Sequence, residues 1–154
     1  MRDLSSGFEG EFTSDEQQTR IMLVDDDELV LTVLDAGLST MGYLVMSYAH
    51  PQDALDNYQE CAPDLVILDF EMPGMNGAVL AEKLLSKMYR PIIVLSVRYD
   101  DSGWLKAIDA GVLTYLVKPV SAVQLRPAIE ATLSNYRNLV DLIDRDKTGD
   151  HSIP

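Results

Sequence analysis

The sequence predicts an α/β protein with one doubly wound parallel β-sheet that carries helices on both faces. From Ile21 onwards, five short apolar runs alternate with amphipathic stretches of helix length, which is the pattern of repeated β-then-α units. Residues that commonly begin and end helices stand at the borders of these stretches. With 154 residues, the chain most simply forms one domain that is long enough to bury a sizeable core.

The apolar runs are of strand length, and most are rich in branched side chains. In chain order they are IMLV at 21–24, YLVMSY at 43–48, LVIL at 65–68, IIVLSV at 92–97 and LTYLV at 113–117. The predicted helices run from Leu29 to Met41, Pro51 to Cys61, Ala78 to Met88 and Asp101 to Ala110, with a longer one from about Ser121. Because successive units are joined by right-handed crossovers, we expect the five strands to lie parallel.

Boundary residues support these helices. Gly42 and Gly111 stand where C-terminal glycines end a helix, and Pro51 suits a first helical position. Ser121 and Gln124 form a capping-box pattern at the start of the last helix.

The last helix contains Pro127, which removes a backbone hydrogen bond from a helix interior. We therefore expect either a kink or a helix proper that starts near Pro127. The apolar residues beyond it form a seam like a short coiled coil, and they are Ile129, Leu133, Tyr136, Val140 and Ile143. Packing on the sheet accounts for the first part of this seam. Dimerisation and a connection to an output region stay open for the part from Tyr136 to Asp144.

Composition limits the classes of function. A formal net charge of -13 argues against tight binding of a nucleic-acid backbone by this chain. The single cysteine, Cys61, excludes an intrachain disulfide and fits a reducing compartment. No apolar run approaches the roughly 20 residues that span a bilayer, and residues 1–19 are polar, typical of a flexible extension rather than a signal peptide. We expect a cytoplasmic protein that does not bind membranes.

Carboxylates follow two of the predicted strands: Asp25, Asp26 and Asp27 follow the first, and Asp69 follows the third. Ligands of open parallel sheets bind beyond the carboxyl ends of the strands, so these acids should share one edge. Two like charges about 4 Å apart repel by about 4 kcal/mol at an effective dielectric constant of about 20, so a cation is expected there. Mg²⁺ suits such oxygen ligands. Helix capping is the competing interpretation, and it explains one aspartate, Asp27, but not all three.

Two further polar residues end later strands at the same edge. Ser96 ends the fourth strand and Lys118 follows the fifth. Taken alone, the serine fits a turn former and the lysine a solvated side chain. Together with the acids and a metal, they form the set that a phosphoryl group requires, because its transfer depends mainly on positioning and charge neutralisation. A carboxylate is also able to accept a phosphoryl group covalently.

Four segments carry a family resemblance. MLVDDDE, DLVILDFEMPGMNG, PIIVLSV and TYLVKP resemble the signature segments of response-regulator receiver domains of two-component signalling systems. The resemblance covers about residues 20–135, which leaves a helix overhang and flexible tail at 136–154. It implies a flavodoxin-like sheet with strand order 2-1-3-4-5. LRPAIEATLSNYRNL is similar to receivers that precede an antitermination helix pair, but no effector module follows, which favours a stand-alone receiver or a fragment.

The resemblance also implies a Mg²⁺ site and a phosphoacceptor. Asp69 would accept the phosphoryl group and contribute to the metal site. Asp26 would be a direct ligand, Asp25 a ligand through water, and the backbone carbonyl of Phe70 would complete the protein's share.

Three more roles follow from the resemblance. Lys118 would pair with the phosphoryl oxygens, and Ser96 would hydrogen-bond one of them. Tyr115 would be the aromatic residue that swings inward after phosphorylation, although a half-buried strand tyrosine with its hydroxyl in water is the simpler interpretation.

Two positions depart from the commonest receiver pattern. Val97 stands where a very small residue is usual, and its branched side chain is expected to narrow access to Asp69 and to slow phosphotransfer or hydrolysis. Glu71 adds an acid beside the site, and we hypothesise that it pairs with Arg98 across the pocket mouth.

The predicted function is a signalling switch rather than a turnover enzyme. A histidine kinase or histidine phosphotransfer protein would phosphorylate it, and the changed surface would bind a protein target. One alternative is a Mg²⁺-dependent phosphohydrolase with an aspartyl nucleophile, using Asp25 and Asp27, although the chain has no insertion for a substrate-enclosing cap. Another is a binding-only receiver in which Asp69 is never phosphorylated. A homodimer also stays open.

Overall fold

The computed structural model describes residues 18–97 and 101–148. Five strands and five helices alternate along these ranges. The strands are β1 (Arg20–Val24), β2 (Leu44–Tyr48), β3 (Leu65–Asp69), β4 (Ile92–Ser96) and β5 (Thr114–Val117). The helices are α1 (Glu28–Thr40), α2 (Pro51–Cys61), α3 (Gly77–Lys87), α4 (Asp101–Ala110) and α5 (Ala122–Thr148). The predicted bounds of each element agree with these to about a residue.

The strands form one parallel sheet in the order β2-β1-β3-β4-β5. This confirms the predicted order 2-1-3-4-5. The central strands β1, β3 and β4 are almost entirely buried, because helices cover both faces, and this explains their uninterrupted apolar sequences. The edge strands β2 and β5 are only half-buried for most of their length.

Alternate residues of the central strands pack into two separate cores, one on each face of the sheet. Met22 and Val66 belong to the core that packs against α2 and α3. Ile21 and Ile67 belong to the core that packs against α1 and α5. The division follows from the two-residue period of a strand, which sends neighbouring side chains to opposite faces.

Predicted helix boundaries are confirmed at both N-termini and C-termini. Gly42 and Gly111 have φ angles of +100° and +103°, the left-handed region in which glycine is favoured. At the start of α5, the backbone N–H of Ser121 donates to the side chain of Gln124 at 2.9 Å. The backbone N–H of Gln124 donates in return to Ser121 Oγ at 3.2 Å. This reciprocal pair is a capping box.

Helix α5 begins at Ala122 and contains Pro127, so the expected alternative of a start near Pro127 was wrong. The capping box already satisfies the N–H of Gln124 in the first turn, and buried Leu125 anchors that turn in the core. These interactions outweigh the single backbone hydrogen bond that the proline removes.

The apolar seam of α5 divides as predicted. Ile129 and Leu133 are buried in the core beside α1, whereas Ile143 is 46% exposed. The helix continues past residue 135 without interruption. Over the described ranges, no helix combines the length and apolar character that crossing a bilayer requires.

Candidate functional site

The carboxyl edge of the sheet gathers the predicted acids. Asp25 directly follows β1 and Asp69 is the last residue of β3, and these two strands are neighbours in the sheet. Asp25, Asp26 and Asp69 each offer a carboxylate oxygen, and the three oxygens lie within 4.8 Å of one another. Asp25 and Asp69 are buried and Asp26 is exposed. The parallel topology thus builds one acidic cluster from residues far apart in the chain.

Lys118 supplies a cation between the two buried acids. Its Nζ lies 2.8 Å from Asp25 Oδ2 and 3.1 Å from Asp69 Oδ1. Its backbone N–H donates to the Ser96 carbonyl at 2.6 Å, which ties the end of β5 to β4. Burial by itself lowers the pKa of Lys118, but the hydrogen bond to Asp25 and the charges of both aspartates raise it above its ordinary value. Lys118 is therefore a fixed positive charge.

The environment of Asp69 disfavours the charged form of its carboxylate. Burial and the charge of Asp25 raise its pKa to about 6, against the opposing effect of Lys118. Asp69 Oδ1 is buried and accepts no well-aligned hydrogen bond from any residue that the structure describes, although Lys118 lies close by. A buried carboxylate oxygen with spare capacity beside two other acids fits an oxygen-coordinated divalent cation such as Mg²⁺.

Asp27 serves the helix rather than the acidic cluster. Its Oδ1 accepts hydrogen bonds from the backbone N–H groups of Leu29 and Val30, at 3.0 and 3.3 Å. The prediction that Asp27 caps α1 is confirmed. The phosphohydrolase alternative requires Asp25 and Asp27 as a working pair, and this capping role engages one member of that pair.

The loop after β3 packs tightly against α3 at Gly77. The N–H of Gly77 donates to the Phe70 carbonyl at 2.7 Å. A Cβ at Gly77 would lie 2.7 Å from the Asp69 carbonyl oxygen and 2.8 Å from the Phe70 Cα, so the backbone requires glycine. The Phe70 carbonyl keeps a second lone pair, and its role as a metal ligand stays a prediction. Sequence reasoning missed this contact because a glycine at a helix start has many ordinary explanations.

Ser96 and Glu71 contact each other directly. Ser96 Oγ is buried at the end of β4 and donates to Glu71 Oε2 at 2.6 Å. The backbone N–H of Val97 donates to Glu71 Oε1 at 3.3 Å. Arg98, which we paired with Glu71 from the sequence, lies outside the described residues, so that pairing stays a hypothesis. The sequence placed Glu71 beside the site but carried no signal of its hydrogen bond to Ser96.

Tyr115 lies in a half-buried aromatic group on β5. Its ring is 5.4 Å from Trp104 in an edge-on arrangement and 6.3 Å from Phe70, measured between ring centroids. This packing connects β5 both to α4 and to the residue after Asp69. Its role as the switch aromatic stays a prediction.

A groove beside Lys118 opens between α1 and the segment after β5. It has a volume of about 430 Å³ and a mainly apolar lining that includes Leu29, Val33, Val97 and Pro119. Leu29 and Val97 are 73% and 59% exposed. The exposed Val97 side chain therefore lines a surface groove, and its expected effect on access to Asp69 stays a prediction.

Comparison with known proteins identifies the family. The family model for the response regulator receiver domain matches residues 21–130. The chain belongs to this family. A receiver domain of this kind acts in two-component signal transduction, and the resemblance drawn from the four sequence segments is confirmed.

Named relatives agree with this assignment. Transcriptional regulatory protein PdtaR of Mycobacterium tuberculosis is 36% identical over 124 residues, which cover 80% of this chain and 60% of that protein. AfsQ1 of Streptomyces coelicolor, also a transcriptional regulatory protein, is 33% identical over 113 residues, covering 73% of this chain and 50% of AfsQ1. The chain thus spans only part of the length of these relatives.

Solved structures share the fold. A CheY-like receiver domain from Methanospirillum hungatei superposes with a TM-score of 0.74 at 25% identity, covering 79% of this chain and 98% of that one. The structure of FixJ-N superposes with a TM-score of 0.70 at 26% identity, covering 77% and 95% of the respective chains. These similarities confirm the predicted fold class.

Proposed function

We propose that this receiver is a phosphorylation-dependent switch in which Asp69 accepts a phosphoryl group from the phosphohistidine of a kinase or phosphotransfer protein. The observation that carries the proposal is the position of the Asp69 carboxylate. It lies at the end of a rigid central strand, beside two other acids and 3.1 Å from the Lys118 ammonium. An acid so placed is a fixed nucleophile in a site built to neutralise phosphoryl charge.

Asp25, Asp26, Asp69 and the Phe70 carbonyl would hold Mg²⁺. Mg²⁺ held there would supply positive charge to offset that of the phosphoryl oxygens. Both oxygens of Asp25 already accept hydrogen bonds, from Asp27 N–H and from Lys118, which supports a role as ligand through water. The Asp26 carboxylate is exposed, and this accessibility supports its role as a direct ligand.

Three side chains would then respond to the phosphoryl group on Asp69. In the transfer, a bond forms between Asp69 and phosphorus while the bond from phosphorus to the donor nitrogen breaks. Lys118 is within reach of the carboxylate and would pair with the phosphoryl oxygens. The Ser96 hydroxyl would hydrogen-bond one of them, and Tyr115 would follow by moving in its aromatic group. The resulting change in surface is the signal.

The test is labelling with a small donor. Incubation with acetyl phosphate and Mg²⁺ should add one phosphoryl group, which peptide mass mapping places on Asp69. Asp69→Asn should abolish the label, and EDTA should suppress it. Asp64→Asn is the matched control, since Asp64 is exposed at the opposite end of β3, and it should label normally. A label on Asp25, or repeated turnover of phosphomonoesters, would instead support the phosphohydrolase. Absence of any label would support a binding-only receiver.

The apolar groove beside Lys118 supports a protein phosphodonor that docks on α1. Leu29 is 73% exposed next to the site, a position suited to an apolar partner surface. We expect Leu29→Ser to slow phosphotransfer from a phosphorylated histidine protein while leaving labelling by acetyl phosphate unchanged. Leu105→Ser is the control, because Leu105 is similarly exposed at 58% but lies on α4. Equal rates for both variants with the protein donor would contradict docking at this groove.

A further inference from the structure

The end of β4 presents two hydrogen-bond donors that act together. Ser96 Oγ–H and the Val97 backbone N–H each donate to a different oxygen of the Glu71 carboxylate, at 2.6 and 3.3 Å. Ser96 is buried as the last residue of β4, and Val97 N–H directly follows it, so the strand end places the two donors side by side. Two adjacent donors that hold both oxygens of one carboxylate form a site for an anion.

This anion site adjoins the phosphoacceptor. Strands β3 and β4 are neighbours, Asp69 lies opposite Leu95, and Phe70 N–H donates to the Leu95 carbonyl at 2.8 Å. Ser96 and Val97, which carry the two donors, directly follow Leu95, the residue that is paired with Asp69. A phosphoryl group on Asp69 would present anionic oxygens that accept hydrogen bonds, as the oxygens of the Glu71 carboxylate do.

The Glu71 carboxylate and a phosphoryl group on Asp69 are unable to bind Ser96 at the same time. A serine hydroxyl carries one proton and donates one hydrogen bond at a time. Hence Ser96 Oγ–H is unable to donate to Glu71 and to a phosphoryl oxygen together, and two anions at one donor pair would also repel.

We propose that Glu71 is an internal occupant of the anion site formed by Ser96 Oγ–H and Val97 N–H, and that it opposes the switch by competing with the phosphoryl group. The inference rests on the proposed function, because it requires the phosphoryl group to be on Asp69. Glu71 stabilises the unphosphorylated arrangement and must withdraw before Ser96 binds the new anion. Its removal shifts the equilibrium towards the phosphorylated arrangement.

Beryllofluoride is a suitable probe, since it mimics a phosphoryl group on a carboxylate without any chemical step. Its apparent Kd for the full chain in Mg²⁺ is measured by isothermal titration calorimetry. We expect Glu71→Ala to bind about tenfold more tightly, the size of one hydrogen bond to a charged group. Glu71→Gln, which keeps the side-chain shape, should show a smaller gain in the same direction. Glu28→Ala is the control, because Glu28 is an exposed acid on the first turn of α1.

A Ser96→Ala background separates competition from general charge repulsion. If Glu71 acts through Ser96, the gain from Glu71→Ala should shrink to less than about threefold when Ser96 is absent. An undiminished gain in that background, or an unchanged Kd for both Glu71 variants, would overturn the inference. If the parent chain binds no beryllofluoride and acetyl phosphate does not label Asp69, the proposed function fails, and the inference fails with it. Binding by the parent with no effect of Glu71 overturns the inference alone.

Discussion

Replacing Asp69 by asparagine removes a charge that the folded protein holds at a cost. Burial and the neighbouring Asp25 raise the pKa of Asp69 from its ordinary value of 3.8 to about 6. Each pKa unit corresponds to about 1.4 kcal/mol, so the folded state holds this charge at a cost of about 3 kcal/mol. We therefore expect Asp69→Asn to increase the free energy of unfolding by about 3 kcal/mol at neutral pH in EDTA, although it removes a partner of Lys118.

The raised pKa of Asp69 also determines how the stability difference between Asp69→Asn and the parent changes with pH. The folded state binds the Asp69 proton more tightly than the unfolded state, so stability contributed by this group falls as the pH rises from about 4 to about 6. Asparagine does not titrate. The advantage of Asp69→Asn should be about 3 kcal/mol above pH 7, roughly half of that near pH 5, and absent below the unfolded pKa.

The assay is urea denaturation of parent and variant in EDTA, at about pH 7.5 and pH 5. Asp56→Asn, an exposed acid on α2, is the matched control and should change the free energy of unfolding by less than about 0.5 kcal/mol. Addition of Mg²⁺ should stabilise the parent more than Asp69→Asn. The reasoning is refuted if the variant is less stable than the parent at pH 7.5, or if its gain is the same at both pH values.

Three further predictions concern other parts of the molecule. Gly77→Ala should lower the free energy of unfolding by about 1–3 kcal/mol in urea, because the new Cβ would lie 2.7 Å from a backbone oxygen at the end of β3; an unchanged value would count against this packing argument. Tyr58→Phe should lower the free energy of unfolding by about 1–2 kcal/mol, because it leaves the Met88 carbonyl after α3 without its hydrogen bond. Tyr136→Phe is the control and should be nearly neutral, because the hydrogen bond of Tyr136 is exposed. Val97→Ala should lose its phosphoryl group faster than the parent in a dephosphorylation assay, and equal rates would contradict a role for the branched side chain.

The sequence predicted the fold well because each element carries a local signal. The central strands read as uninterrupted apolar runs since they are buried on both faces, and Gly42 and Gly111 end helices through a backbone angle that glycine favours. Where two local signals conflict, sequence reasoning was less certain. Pro127 disfavours a helix interior, while the Ser121 capping box and the buried Leu125 favour helix, and the combined packing decided the start of α5.

Part of the site was also readable from local pattern. Asp25, Asp26 and Asp69 were grouped correctly because parallel strands deliver their carboxyl ends to one edge, a rule that needs only element order. Asp27 was separated from them by its place one residue before α1. Both conclusions depend on backbone periodicity rather than on side-chain distances.

By itself, the sequence determined the element order, the strand direction, the edge at which the acids meet and the receiver family. Only the tertiary structure decided which side chains touch at that edge. Three contacts depend on distances of about 3 Å between separate segments. They are the hydrogen bond from Ser96 to Glu71, the position of Lys118 between two carboxylates, and the tight approach of Gly77 to the backbone at the end of β3. Local propensity fixes the period and the ends of an element, whereas such contacts depend on loop paths and packing that no local pattern encodes.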